Sequence, residues 1–103
     1  FFSQSSQFIM TDSLAESRAF MQDSNKRLWT ASKSNYIQIF APDGNLVGYL
    51  SKQGNIIKEK QSFYNGVYSI LEDKDGNIWL GTKEIGLFQL KKTGANHYSI
   101  HHF

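Results

Sequence analysis

With 103 residues, 40% of them hydrophobic and 15% aromatic, the chain suits one small domain and is too apolar for a disordered tract. A net charge of +2, with no basic run longer than two residues, argues against a nucleic-acid partner. There are no cysteines, which excludes disulfides and thiolate metal sites, and no apolar run approaches the ~18 residues of a membrane-spanning helix.

At the head of the chain, 7–10 is a strand candidate and 14–17 has the composition of a helical turn. Residues 1–17 are expected to form an outer strand or connection from a preceding unit. A first strand is predicted at 18–21. The turn Asp23-Ser24-Asn25-Lys26-Arg27 follows, then strands at 28–30 and 36–40. Pro42-Asp43-Gly44-Asn45 is turn chemistry, with proline pre-setting φ, and leads into a strand at 46–50. Gln53-Gly54-Asn55 turns again into 56–58, so the first unit, 18–60, has an extended outer hairpin. The second unit, 61–103, carries strands at 67–71, 78–80, 87–90 and 97–102, with the Asp-Gly-Asn-rich turn 73–77 between the first two. No sustained 3.6-residue periodicity occurs. The chain reads as all-β, with two antiparallel meanders of four short strands or slightly more.

The two units are copies. Asp23, Trp29 and Lys33 recur fifty residues later as Asp73, Trp79 and Lys83. A fixed period of this size marks a repeat architecture. A four-stranded sheet whose second strand is apolar on both faces needs a neighbour on each side. Stacked twisted sheets of that kind curve into a β-propeller of ~4–8 blades. Two blades cannot close a ring, so both outer faces are expected to meet water. The partners expected on this basis are the remaining blades of a longer parent chain, for which the non-Met start argues, or further copies of this chain.

The run 67–83, ending in Gly86-Leu87-Phe88, resembles the two-component regulator propeller repeat: an apolar strand, Asp73, then Gly76, Trp79, Gly81-Thr82 and Gly86-Leu87. The first copy departs from the pattern, with Lys26, Ala31 and Tyr36 where the second has Gly76, Gly81 and Gly86. The resemblance implies a large propeller in the periplasmic sensor region of a hybrid two-component receptor of the kind found in Bacteroidetes. It implies an inner-membrane-anchored and homodimeric parent with a histidine kinase, and an oligosaccharide ligand.

Several candidate sites are read as scaffold. Asp73, Asp75, Asn77 and Glu84 are spaced like a calcium loop, but Ile78 stands where an EF-hand needs glycine. Asp73 and its equivalent Asp23 are instead expected to cap turn N–H groups. Trp29 and Trp79 are expected to pack between blades, with Trp79→Ala costing ~3–5 kcal/mol. Gly76, Gly81 and Gly86 complete the structural repeat. His97 and His101 would lie about 13 Å apart on a strand face at ~3.3 Å per residue, too far to share an ion, and with His102 they read as solvated. No metal site, cofactor or catalytic residue is predicted. Neither a Gly-x-Ser-x-Gly elbow nor a phosphate loop is present.

Binding in propellers uses loops at one mouth of the ring. Lys33, Asn35, Lys83 and Glu84, in the loops between second and third strands, are the candidate ligand residues, joined by Tyr64 and Asn65 from the connection between blades. Lys and Asn can donate to sugar hydroxyls or carboxylates, and Tyr can stack. Two rival readings remain open at this point. One is a propeller polysaccharide lyase or glycoside hydrolase, to which Tyr36 and Glu84 would contribute. The other is a propeller acting purely as an interaction scaffold.

Overall fold

A computed structural model describes residues 17–64 and 66–103. The strand candidate at 7–10 lies outside these residues, as does the helical turn apart from Ser17, which opens the first strand. The described residues are all-β with no helix. Nine strands form two antiparallel sheets, as expected of propeller blades. The first sheet holds β1 (Ser17–Gln22), β2 (Leu28–Ser32), β3 (Ile37–Phe40), β4 (Leu46–Leu50) and the two-residue β5 (Ile56–Ile57) in sequence order. The second holds β6 (Val67–Glu72), β7 (Ile78–Thr82), β8 (Leu87–Gly94) and β9 (His97–His102), also in sequence order.

The repeat extends to the hydrogen-bond register. Met21 pairs with Trp29 as Leu71 pairs with Trp79, and Ala31 pairs with Ile37 as Gly81 pairs with Leu87. The register shift between Ser17 and Ala19 reappears between Val67 and Ser69. Only the outermost strands diverge. β3 turns tightly into β4 through Ala41 and Asn45, whereas β8 runs on to Gly94 before β9.

One device builds the inner hairpin of each sheet. Asp73 Oδ1 accepts the N–H groups of Asp75 and Asn77, each at 2.9 Å, while Oδ2 accepts the Trp79 indole N–H at 2.8 Å. Asp23 does the same with Asn25, Arg27 and Trp29. A single carboxylate therefore closes the turn and fixes the ring of the next strand. The Trp79 hydrogen bond, aided by Asn77 and Asp75, holds the Asp73 carboxyl down at about 2. Both turns need a left-handed residue. Gly76 supplies it at φ 85°, and Lys26 adopts φ 67° in the first copy, where the side chain is exposed.

The core lies between the sheets. The first sheet contributes Trp29, Ala31, Ile37 and Ile39; the second contributes Ile70, Ile78, Leu80, Phe88, Leu90 and Tyr98. These are opposite faces of equivalent sheets, because Leu80 occupies the register position of Thr30 and not of Ala31. The blades thus stack head to tail, the Trp face of one against the back of the next. Arg27 donates to Asn96 Oδ1 at 3.0 Å and to the Tyr98 hydroxyl at 3.3 Å, and Tyr98 meets Trp29 edge-on at 5.3 Å. Burial raises the Tyr98 phenol above its ordinary value, against the pull of Arg27. At the rim, the Tyr98 N–H reaches the Gly54 carbonyl at 2.7 Å. Gly54 has φ 93°, and a Cβ there would lie 1.9 Å from the Tyr98 carbonyl oxygen, so only glycine fits.

Trp29 is fully buried between the blades, while Trp79 lies on the far face of the second sheet, which no other blade covers among the described residues, partly exposed beside Phe103. Its face also exposes Leu71 and Leu87. The first sheet's outer face is not bare as expected: Leu28, Thr30 and Phe40 are buried there, and Phe20 is half exposed.

Candidate functional site

A cleft of about 300 Å³ opens at the junction of the blades, lined by Arg18, Asn35, Gly66, Tyr68, Lys83 and Glu84. The topology explains the convergence. β1 and β6 start where β2 and β7 end, so the starts of the inner strands and the loops after β2 and β7 share one end of the molecule.

Backbone bonding forms the base of the cleft. Asn35, left-handed at φ 69°, accepts the Phe63 N–H on its carbonyl at 2.8 Å and the Gly66 N–H on Oδ1 at 3.2 Å. The Gly66 carbonyl accepts the Lys83 N–H at 2.9 Å. A continuous path therefore runs from the first blade's loop through the connection to the second blade's loop. The Asn35 side-chain oxygen is committed to this path, which makes Asn35 a strut for the connection.

The walls come from the bulges. The register shifts at Ser17/Ala19 and Val67/Ser69 leave Arg18 and Tyr68 as the extra residues of their strands, at equivalent positions of the repeat. A bulge re-aims a side chain out of the sheet's alternation. Here the two meet, with the Arg18 guanidinium 5.1 Å from the Tyr68 ring centroid and the ring about half exposed. Lys83 and Glu84 project from the loop after β7, both exposed. Among the described residues, the one ion pair is Arg27 with Asp23 at 3.9 Å. Arg18, Lys83 and Glu84 have no charged partner there.

Of the residues singled out from sequence, Asn35, Lys83 and Glu84 line the cleft. Lys33 is exposed outside it. Tyr64 is packing: it stacks on Phe88 at 4.9 Å and meets Phe63 edge-on, under the Lys52 ammonium. Asn65 lies outside the described residues. Tyr36 packs against Tyr49 and does not line the cleft, so it is not brought together with Glu84 there. His97 bonds Thr93, while His102 stacks on Phe88 and contacts the Ile85 carbonyl. Among the described residues no three His, Asp or Glu side chains converge to hold a metal ion. Sequence reasoning missed Arg18, Gly66 and Tyr68. The fifty-residue offset relates Arg18 to Tyr68, but alternation alone assigns both to blade faces, and only the bulge turns them to the cleft.

Residues 62–84 match the family model described as "Two component regulator propeller". The match covers the connection, β6, the Asp73 turn, β7 and the first residues of the following loop, and so includes four of the six cleft residues. Comparisons with curated proteins and with solved structures gave no match.

Proposed function

We propose that this chain is part of the ligand-sensing propeller of a two-component receptor, and that the cleft between its blades receives oligosaccharide. The observation that carries the reading is the coincidence of the matched repeat with the cleft. The same 62–84 segment supplies the Asp–Trp scaffold and the exposed Tyr68, Lys83 and Glu84. A half-exposed aromatic ring beside hydrogen-bonding side chains is suited to a sugar, whose apolar face stacks while its hydroxyls bond around the edge. At about 300 Å³ the cleft sits at the low end of small-molecule sites, matched to a fragment of a glycan and not a long chain. In this reading the parent is a periplasmic, membrane-anchored homodimer whose further blades complete the ring, and the propeller itself performs no chemistry.

The test is saturation-transfer NMR of the 103-residue chain with a panel of di- and trisaccharides, neutral and acidic. Saturable binding that is lost in Tyr68→Ala, with the fold retained, supports the reading. Failure of every saccharide to bind refutes it.

A further inference from the structure

The charges around the cleft carry a more specific statement about its ligand. We propose that the cleft selects an anionic saccharide, one whose carboxylate or sulfate group is held jointly by Arg18 and Lys83. This rests on the oligosaccharide reading of the same site.

Arg18 and Lys83 approach from different blades, one from the β1 bulge and one from the loop after β7. Neither meets a carboxylate among the described residues, although the second blade's loop offers Glu84 next in sequence to Lys83. Their charge is therefore available to a ligand. Arg18 is also held in place: its guanidinium lies 5.1 Å from the Tyr68 ring centroid. A planar fork held on an aromatic face keeps its N–H edges for a carboxylate or sulfate and loses less rotamer freedom on binding. The Lys83 main chain is tied to the Gly66 carbonyl at 2.9 Å, which anchors the base of its side chain. The cleft thus sets two cations against one carboxylate.

Glu84 is the opposing term. A carboxylate only accepts hydrogen bonds and suits sugar hydroxyls. Toward an anionic group it is repulsive, so it restricts that group to the Arg18–Lys83 side of the cleft. Three charge substitutions therefore have effects of known sign. Arg18→Gln and Lys83→Gln weaken an acidic ligand, while Glu84→Gln strengthens it. A purely structural role would not reverse sign with the charge removed.

The experiment is calorimetric titration of the 103-residue chain with a diuronate, a sulfated disaccharide and the neutral disaccharide of the same linkage. Sodium sulfate alone serves as a fourth probe. The acidic sugars should bind about tenfold tighter than the neutral one, as two solvent-exposed charge contacts allow. Each cation-to-Gln variant should lose about threefold, Glu84→Gln should gain about as much, and the preference should shrink on raising salt. The uronate and sulfate arms identify which anion the pair prefers. Equal binding of neutral and acidic sugars overturns this inference and leaves the oligosaccharide reading standing. Binding of no saccharide overturns both. Sodium sulfate binding as tightly as the sulfated sugar overturns the saccharide part and makes the pair a simple anion site.

Discussion

The head-to-tail stacking predicts that two tryptophans in identical local settings differ in worth. Trp29 and Trp79 each bond an aspartate six residues earlier and each occupy the second position of a second strand. Trp29 is fully buried and Trp79 is not. A buried tryptophan hides ~150–250 Å². At ~25 cal/mol per Å² this is about 4–6 kcal/mol, an upper bound given a compact unfolded chain. Large-to-small replacements of this kind cost ~3–5 kcal/mol. Trp29→Ala also deprives the buried Asp23 carboxylate of a donor, adding about 1–3 kcal/mol. The total approaches the whole stability of a chain this size, roughly 5–15 kcal/mol, so the variant is expected to be largely unfolded. Trp29→Phe, which keeps the ring and loses the N–H, should cost about 2–3 kcal/mol and remain measurable. Trp79→Ala should cost ~2 kcal/mol, because part of its surface is already wet and water can replace the indole at Asp73. Urea unfolding followed by circular dichroism, at fixed m-value, measures Trp29→Phe and Trp79→Ala, and the folded fraction without urea reports Trp29→Ala. Equal losses for the two Ala variants would falsify the stacking argument, since they would require the far face of the second blade to be as well covered as the inter-blade core.

The Asp73 carboxyl, at about 2 in the fold against 3.8 for the free group, contributes stability that is complete above pH 3.8 and lost as the pH falls through about 2. Trp79→Phe removes the leading cause, so its carboxyl titration by carbon-13 NMR should move up toward 3.8; an unmoved midpoint would contradict the hydrogen-bond assignment. Gly54→Ala places a Cβ on the Tyr98 carbonyl oxygen and strains φ 93°, so it should cost at least ~2 kcal/mol by urea unfolding and speed amide exchange at Tyr98. Wild-type stability in that variant would mean the Gly54–Tyr98 contact is absent in solution.

Much of this fold is legible in the sequence because its signals are local. The turn at 73–77 announces itself by Asp, Gly and Asn, and the strand at 78–80 by an uninterrupted apolar run. The Asp–Trp hydrogen bond was equally visible in principle, as a fixed separation of six residues occurring twice. Alternation could not give the direction of stacking. Ile78-Trp79-Leu80 is apolar on both faces, and nothing local says which face turns to the neighbour. That information is held in pairs such as Arg27 with Asn96 and Gly54 with Tyr98, far apart in the chain. Lys26 shows the opposite case. It takes the left-handed backbone that Gly76 supplies in the second copy, because the Asp23 cap and the strand pairing hold the turn without glycine.

The cleft was only half legible, for one physical reason. The loop residues Lys83 and Glu84 are exposed wherever the loops point, so counting polar loop positions finds them. Arg18 and Tyr68 sit inside strands, where a two-residue period places a side chain on one sheet face or the other. One extra residue breaks that period at the same point in both copies and turns the side chain toward the blade junction. The bulge leaves the rest of the repeat undisturbed, because pairing resumes in register at Ala19 and Ser69. The packing of the blades therefore places little restriction on what residue stands there. The first copy carries an arginine and the second a tyrosine, and neither choice reaches the core between Trp29 and Leu80. A scaffold of this design can keep its Asp–Trp lock constant while the bulge position changes the chemistry of each junction.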